Sequence, residues 1–312
     1  MSKQSSYGKL FLIKMSQVNQ MQTCAIVIPI YNEERVIVQT LDLLRNAIAN
    51  ISGYQFQIIC VNDGSTDGTS HVLSSETAIS VINHPVNRGY GAALRSGLDS
   101  CRTDWIFIMD ADGTYPIQDL GSLLREAELG FDMVVGERTG PGIFASPFKR
   151  IARFILRKMV YYLAGTFVPD LNSGMRVFRR SLYLEFRHLL PMGFSFTTTI
   201  TVASLYSGYR LKYIPIHYSE RVGHSNIKPV RDFIGFMILI IRLASYFEPL
   251  RFFLPASFII FAVGILRLIR DIIVVNSIGS LSLILVFFAL QVFVIGVLAD
   301  VVVRRSQVTK SE

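Results

Sequence analysis

Cysteine is scarce in this sequence, and its spacing suggests neither a disulfide nor a metal site. The 312 residues contain three cysteines, Cys24, Cys60 and Cys101, with no paired spacing. Two of them lie in apolar runs typical of strands, where reduced cysteine serves as a small core residue. The pattern argues against a disulfide-stabilised secreted domain and fits a reducing cytosol.

Other common features are missing as well. The loops that follow the predicted strands contain neither GxGxxG nor GxxxxGK[ST], so dinucleotide-binding and P-loop folds have no support. The sequence has no internal repeat and no low-complexity segment. The N-terminus lacks the apolar core of a signal peptide, and we expect residues 1–22 to form a flexible tail.

Apolar residues, by contrast, are in excess. They make up 51% of the chain, and the mean hydropathy of +0.41 is high for a soluble enzyme. The excess lies in two uncharged runs, 252–266 and 281–299. The second run can cross a bilayer core of about 30 Å, whereas the first must extend towards Val275 or stay shallow. We predict two transmembrane helices within 251–305 and a cytoplasmic tail over 306–312. A buried core helix is the alternative, mainly for 252–266.

The chain is also basic, with a formal net charge of +8. Once transmembrane segments are predicted, an anionic membrane surface is a simpler partner than nucleic acid. Basic residues flank the predicted pair of spans on both sides: Lys228, Arg231, Arg242, Arg251, Arg304, Arg305 and Lys310. By the positive-inside rule both flanks are cytoplasmic, which places the preceding residues on the cytoplasmic face.

Residues 147–165 have the profile of an amphipathic helix in a membrane interface. Phe148, Ile151, Ile155, Met159 and Leu163 recur at helical spacing, basic residues occupy the other faces, and no acidic residue intervenes. The alternative is a soluble helix packed on a sheet. Residues 229–250 are predicted to form a second interfacial helix or linker.

From residue 24 onward, short apolar runs alternate with amphipathic segments, which predicts an α/β domain with a mainly parallel sheet. The predicted strands cover 24–30, 56–61, 79–83, 105–109 and 133–136. The predicted helices cover about 33–50 and 89–101, with one more after the turn at 63–69.

The fourth predicted strand ends in two carboxylates, Asp110 and Asp112. Strand alternation would point both to the same side. In open α/β sheets the carboxyl ends of the strands bind ligands, and paired carboxylates suit Mg²⁺ or Mn²⁺ that is held partly by substrate phosphates. A surface turn is the ordinary alternative for such a pair.

Polar loops follow the other strands at the same edge. The first strand runs into Tyr31-Asn32-Glu33-Glu34, and the second into Asn62-Asp63-Gly64-Ser65. A carboxylate such as Asp63 can accept hydrogen bonds from a nucleotide base or ribose, although a turn with a helix cap is the alternative. The run 87–91, Asn-Arg-Gly-Tyr-Gly, precedes a helix whose N-terminus favours phosphate.

Taken together, the segments 28–34, 61–65, 87–91 and 110–112 resemble the family 2 glycosyltransferases with the GT-A (Rossmann-like) fold, over about residues 23–228. The later block 170–179, Asp-Leu-Asn-Ser-Gly-Met-Arg-Val-Phe-Arg, looks like a segment of dolichyl-phosphate mannosyltransferase and of bacterial polyprenyl-phosphate glycosyltransferases. Residues 218–228 resemble the basic loop that closes the active site in those enzymes. One departure is Thr114, where relatives often carry Gln as a further metal or phosphate contact.

The resemblance implies a role for each matching residue. It implies that the donor nucleotide is bound by Pro29, Tyr31, Glu33, Asp63 and Asp110. It implies that Asp110 and Asp112 hold Mg²⁺ or Mn²⁺. It implies that the acceptor phosphate is bound by Arg138, Arg153, Ser173, Arg176, Arg221 and Lys228. The catalytic residues would then be Asp112, Asp170, Arg138 and Arg221.

The implied function is an inverting transfer of a hexose from a UDP- or GDP-sugar to a polyprenyl phosphate, by an enzyme integral to the membrane. A homo-oligomer is one assembly that the enzyme could form. A polysaccharide synthase of the same superfamily would carry a Gln-x-x-Arg-Trp motif, but the sole tryptophan, Trp105, lies upstream of the Asp pair. A glycolipid synthase that acts on a lipid hydroxyl would need a true base such as Asp170. A non-catalytic membrane anchor would have no use for the Asp pair.

Overall fold

The computed structural model describes residues 21–140, 165–193, 195–219 and 245–308, together with six residues between 154 and 162. The predictions for Arg153, Arg221 and Lys228, and for most of the segments 147–165 and 229–250, lie outside the described residues. The chain divides into two compact units, of which the first comprises residues 1–150 and 169–226 and the second residues 151–168 and 227–312.

The first unit contains a seven-stranded sheet. In chain order its strands are β1 (Gln22–Ile30), β2 (Tyr54–Asn62), β3 (Ser80–Asn83), β4 (Trp105–Ile108), β5 (Met133–Thr139), β6 (Arg176–Arg179) and β7 (Leu211–His217). Their order across the sheet is β3-β2-β1-β4-β6-β5-β7. Among the strands that the structure describes, only β6 runs antiparallel to its neighbours, β4 and β5. The predicted mainly parallel α/β sheet is therefore confirmed.

Helices connect the strands and bury one face each on the sheet. They are α1 (Ile37–Ala49), α2 (Thr69–Ser75), α3 (Tyr90–Ser100), α4 (Leu120–Glu128), α5 (Arg180–Phe186) and α6 (Phe196–Tyr206), with a 3-10 turn at Ile117–Asp119. In α1 the buried apolar residues Ile37, Leu41 and Leu44 follow helical spacing, so one stripe faces the core. Helix α6 differs, because all residues from Phe196 to Ser204 are buried.

The parallel register brings the polar loops to one edge of the sheet. Ile30 pairs with Asn62, so β1 and β2 end side by side. The loops that follow them are joined by hydrogen bonds: the Asn32 N–H donates to Ser65 Oγ (3.0 Å), and the Glu33 N–H donates to Thr69 Oγ1 (3.0 Å). Strand β4 lies beside β1 and ends at Ile108, so Asp110 and Asp112 follow at the same edge.

The second unit contains two long apolar helices. Helix α7 (Pro249–Arg270) continues through a π-helical turn (Asp271–Val275), and α8 (Ser280–Val308) returns. The segments Pro249–Val274 and Ser280–Arg305 are long and apolar enough to cross a membrane. Only 11% and 17% of their most apolar windows are buried in the protein, which argues against core helices of a soluble domain.

Glycines allow α7 and α8 to pack closely. A Cβ on Gly264 would lie 3.0 Å from Val286 Cγ2, and one on Gly296 would lie 2.6 Å from Phe253 Cβ. At the connecting turn, Ser282 Oγ donates to Asp271 Oδ2 (2.5 Å). Small residues at the contact and a satisfied carboxylate at the turn are what an antiparallel pair in lipid requires.

Candidate active site

Asp110 lies two residues past β4, half-buried, between the start of α3 and the segment that leads into β6. The Tyr90 hydroxyl at the start of α3 donates to Asp110 Oδ1 (2.9 Å). On the other side, a Cβ on Gly174 would lie 2.5 Å from Asp110 Oδ2, so only glycine lets this segment approach the carboxylate so closely. The Gly174 N–H donates to the Tyr115 hydroxyl (2.7 Å).

Asp112 is half-buried as well and is oriented from its own loop. Thr114 donates to Asp112 Oδ1 through its hydroxyl (2.6 Å) and its backbone N–H (3.2 Å). Thr114 itself is only 1% exposed. The residue that departs from the resembled pattern therefore holds Asp112 and does not project into the site.

The donor set of this edge fits a hard divalent cation that is shared with a substrate. No group of three or more His, Cys, Asp or Glu side chains could hold a metal ion within the part of the chain that the structure describes. Two carboxylates fit Mg²⁺ or Mn²⁺, which accept oxygen ligands from phosphates and water in addition to protein carboxylates. They do not form the closed set of nitrogen and sulfur ligands typical of structural zinc.

Asp63 follows β2 and is 3% exposed. Its Oδ1 accepts from His84 Nδ1 (2.6 Å) and from the Arg88 N–H (3.0 Å), and its Oδ2 accepts from the Gly89 N–H (2.8 Å). Asp63 thus ties the end of β2 to the loop that starts α3.

The other residues predicted to bind the donor lie around this loop edge. Pro29 is buried within β1, Glu33 is half-buried, and Tyr31 is 36% exposed. Since Tyr31 directly follows β1, its ring is open to solvent at the edge where the predicted nucleotide would lie.

Arg138 and Asp170 form a nearly buried ion pair. Arg138 Nε donates to Asp170 Oδ2 (2.7 Å) and Nη2 donates to Oδ1 (2.9 Å), with side chains 19% and 12% exposed. Burial alone raises the pKa of the Asp170 carboxyl, but hydrogen bonds and charge from Arg138, with the Asn172 N–H, outweigh burial and leave this pKa below its ordinary value. Asp170 is therefore a weak base held in one orientation.

An aromatic pair lies between Arg138 and the carboxylates. The guanidinium carbon of Arg138 lies 5.4 Å from the centroid of the Tyr218 ring, and the rings of Tyr218 and Tyr115 pack edge to face at 5.1 Å. Since Tyr115 also contacts Gly174 beside Asp110, the carboxylates and Arg138 belong to one continuous site.

Arg176 and Ser173 do not meet the prediction that they contact an acceptor phosphate. Both are 0% exposed. The Arg176 guanidinium donates to the Ser173 carbonyl, to the Thr197 carbonyl (3.0 Å) and to Thr201 Oγ1 (2.8 Å). A buried guanidinium whose N–H groups are taken by protein oxygens cannot bind a ligand directly. Arg176 instead fixes the segment 171–173 against α6.

Sequence reasoning missed several residues that shape the site. Tyr90 and Gly174 contact Asp110, His84 contacts Asp63, and Tyr115 joins two parts of the site. Tyr90 lies in the run 87–91 and Gly174 in the block 170–179, so these motifs could have identified both residues as part of the site. Nothing local marked His84 or Tyr115.

Comparison with known proteins supports the same reading of the chain. Residues 25–186 match the family model described as glycosyl transferase family 2. Residues 248–304 match the model described as the GtrB C-terminal hairpin. The first match covers most of β1, strands β2 to β6 and the carboxylate loops, and the second covers α7 and most of α8.

Individual relatives match different shares of the chain. A dolichyl-phosphate hexose transferase of Haloferax volcanii is 30% identical over 66% of this chain and 86% of that protein. Glycosyltransferase AglJ of the same organism is 27% identical over 92% of this chain and 96% of that protein. Other matched relatives are longer, and the chain spans about half of their length.

Solved structures agree on the fold. Glucosyl-3-phosphoglycerate synthase from Mycobacterium tuberculosis, in complex with Mn²⁺, UDP and glucosyl-3-phosphoglycerate, superposes with a TM-score of 0.55. It is 20% identical, and the alignment covers 75% of this chain and 83% of that one. At this identity the likeness establishes the GT-A-like fold alone.

Proposed function

Because this chain belongs to glycosyl transferase family 2, we propose that it moves a hexose from a nucleotide sugar to a polyprenyl phosphate, with inversion. It is a glycosyltransferase; the acceptor and the residue roles are the proposal. The observation that carries the proposal is the Arg138–Asp170 pair, which places a guanidinium in the same site as the carboxylates Asp110 and Asp112. A relative named dolichyl-phosphate hexose transferase and the matched hairpin support it.

On the donor side, Asp110 and Asp112 would hold Mg²⁺ or Mn²⁺ against the diphosphate. A divalent cation bound there supplies charge neutralisation for the departing nucleoside diphosphate. Tyr90, Thr114 and Gly174 fix the two carboxylates before substrate arrives, so little reorganisation is needed during transfer. Tyr31, Glu33 and Asp63 would bind the base and ribose at the neighbouring strand ends.

On the acceptor side, the nucleophile would be an oxygen of the lipid phosphate. The second pKa of a phosphate monoester is about 6, so this oxygen is already largely anionic at neutral pH. It needs positioning and charge compensation more than it needs a base. Arg138 uses two N–H groups on Asp170, and its other N–H groups can bind phosphate through the planar geometry that guanidinium offers.

The state of Asp170 argues against the alternative of a lipid hydroxyl acceptor. Deprotonating a hydroxyl requires a base whose pKa is near the working pH. Asp170 has a lowered pKa, and both of its oxygens accept hydrogen bonds from Arg138. A phosphate acceptor needs no base, so Asp170 would only have to orient Arg138.

The location of the reaction follows from the second unit. Two helices can cross a membrane, and basic residues occur before the first and after the second. We propose that both ends of the pair, and the sheet domain with them, lie on the cytoplasmic face next to an anionic lipid surface.

The decisive experiment compares acceptors. Purified full-length protein in detergent with Mn²⁺ is given a panel of radiolabelled nucleotide sugars with undecaprenyl phosphate, dolichyl phosphate or the corresponding polyprenols. We expect transfer to the phosphates alone and a product that mild acid cleaves, as a glycosyl phosphate requires. Equal rates with a polyprenol would overturn the phosphate mechanism and return Asp170 to the role of base.

A further inference from the structure

The sheet places Tyr218 beside Arg138. In the parallel register of β5 and β7, Arg138 lies opposite Ile216, a core residue. Tyr218 follows Ile216 by two positions, so strand alternation puts its side chain on the same face as those of Arg138 and Ile216. The Tyr218 N–H donates to the Thr139 carbonyl (3.0 Å), which extends the pairing one residue past β7.

The Arg138 guanidinium is held from two directions. In its own plane, Nε and Nη2 donate to the two oxygens of Asp170. On its face, the Tyr218 ring lies with its centroid 5.4 Å from the guanidinium carbon. A cation at this distance is attracted by the electron-rich face of an aromatic ring. The ion pair fixes the direction of the guanidinium within its plane, and the ring limits its tilt out of that plane.

Tyr218 is itself held in place by Tyr115. The two rings pack edge to face, with centroids 5.1 Å apart, a favourable arrangement for aromatic side chains. Tyr115 is 5% exposed, and its hydroxyl accepts the Gly174 N–H (2.7 Å). The Tyr218 ring therefore cannot turn away from Arg138 without losing its contact with a buried, hydrogen-bonded partner.

We propose that Tyr218 is a positioning residue for the acceptor phosphate, which acts by fixing the plane of the Arg138 guanidinium. A guanidinium binds phosphate through N–H groups that all lie in its own plane, so a tilted guanidinium would donate poorly. With Asp170 on one edge and Tyr218 on one face, the remaining N–H groups of Arg138 point in one direction before the acceptor binds. The inference rests on the proposed function, which places the acceptor phosphate at Arg138.

The test measures KM for undecaprenyl phosphate and for the nucleotide sugar, on full-length protein in detergent with Mn²⁺. Tyr218→Leu removes the aromatic face, and we expect it to raise KM for the acceptor about fivefold. KM for the nucleotide sugar should stay within about twofold of wild type, because the contact to Arg138 is on the acceptor side. Tyr218→Phe keeps the ring and should restore most of the acceptor affinity.

Tyr209→Leu is the matched control. Tyr209 is also half-buried and packs edge to face, against Phe186, but its ring has no contact with Arg138. We expect the ratio of the two KM values to remain that of wild type in this variant, even if its melting temperature falls.

Two further variants separate stacking from packing. A trifluorinated phenylalanine at position 218 nearly keeps the size of the ring but withdraws electrons from its face. We expect KM for the acceptor about threefold above that of Tyr218→Phe, a change that a packing role would not produce. In an Arg138→Gln background, Tyr218→Leu should raise KM for the acceptor by less than about twofold, because no guanidinium is left to position.

Four results would overturn the inference. Tyr218→Phe could be as impaired as Tyr218→Leu; fluorination could leave KM for the acceptor unchanged; Tyr218→Leu could raise both KM values equally; or its effect could persist in full without Arg138. If Tyr218→Leu fails to fold, the fluorinated ring and Tyr218→Phe still decide the question. Each of these results leaves sugar transfer to a lipid phosphate standing. A wild-type enzyme that uses a polyprenol as fast as the polyprenyl phosphate would instead contradict the proposed function, and this inference with it.

Discussion

Two kinds of carboxylate lie at the carboxyl edge of the sheet, and they are held differently. Asp63 and Asp170 are nearly buried, and each receives several N–H groups. Asp110 and Asp112 are half-buried and are oriented by the hydroxyl groups of Tyr90 and Thr114. A buried carboxylate is costly unless it is paired, whereas a half-buried one remains accessible to a cation that binds together with the substrate. The first pair is held mainly by N–H donors of the protein, and the second pair keeps more of its surface open to solvent.

The largest expected effect comes from removing the charge of a half-buried carboxylate. Asp112→Asn removes a charged metal ligand but keeps the shape of the side chain. We expect kcat/KM for transfer to fall at least about 100-fold, roughly 3 kcal/mol, while the melting temperature stays near that of wild type. Radiolabel transfer across a Mn²⁺ titration measures it, with the exposed Asp42→Asn variant as control. A wild-type rate at saturating Mn²⁺ would show that Asp112 is not a ligand.

Removing the charge of the nearly buried carboxylate Asp170 should lower the stability of the protein instead. Asp170→Asn leaves Arg138 without its charge partner, and we expect a loss of about 2–3 kcal/mol of unfolding free energy, discounted for partial exposure. Because the folded-state pKa of Asp170 is lowered, its stabilising contribution is present above pH 3.8 and is lost as the pH falls through the folded pKa below that value.

The melting temperature, measured from pH 3 to 8, checks this prediction. The difference in melting temperature between wild type and Asp170→Asn should be constant from about pH 5 to 8 and should shrink only below about pH 4. The surface variant Asp42→Asn should show almost no gap at any pH, because an exposed pair contributes about 0–1 kcal/mol. If the difference in melting temperature between wild type and Asp170→Asn changed near neutral pH instead, the Asp170 carboxyl would not be held ionised by Arg138.

The smallest expected effect comes from moving the half-buried carboxylate Asp110 without removing its charge. Gly174→Ala places a Cβ 2.5 Å from Asp110 Oδ2, and the carboxylate must turn away because it is the end of a side chain. We expect a Mn²⁺ Kd about tenfold weaker, roughly 1.4 kcal/mol, with little change in melting temperature. Gly193→Ala is the matched control, since a Cβ there meets nothing within 4 Å. Equal Mn²⁺ affinity in the two variants would separate Gly174 from the metal site.

Prediction from sequence succeeded for the five strands β1 to β5 and failed for β6 and β7. The runs that became β1, β2 and β4 are continuous and apolar, as strands of a covered parallel sheet must be. Strand β6 is only four residues long and has an arginine at each end, so it was seen only as a motif. Strand β7 includes Pro215 and is half-buried, which is tolerated because β7 lies at the edge of the sheet.

For this protein, local patterns in the sequence determined that an α/β sheet with paired carboxylates precedes two apolar helices, because apolar periodicity and strand ends are properties of neighbouring residues. Only the tertiary structure decided which polar residues act and which support. Arg176 and Arg138 look alike in the sequence, yet one is sealed against α6 and the other reaches the site. Arg176 belongs to β6, which inserts antiparallel between β4 and β5, whereas Arg138 lies beyond that pairing and next to β7; both are contacts between segments that are distant in the chain.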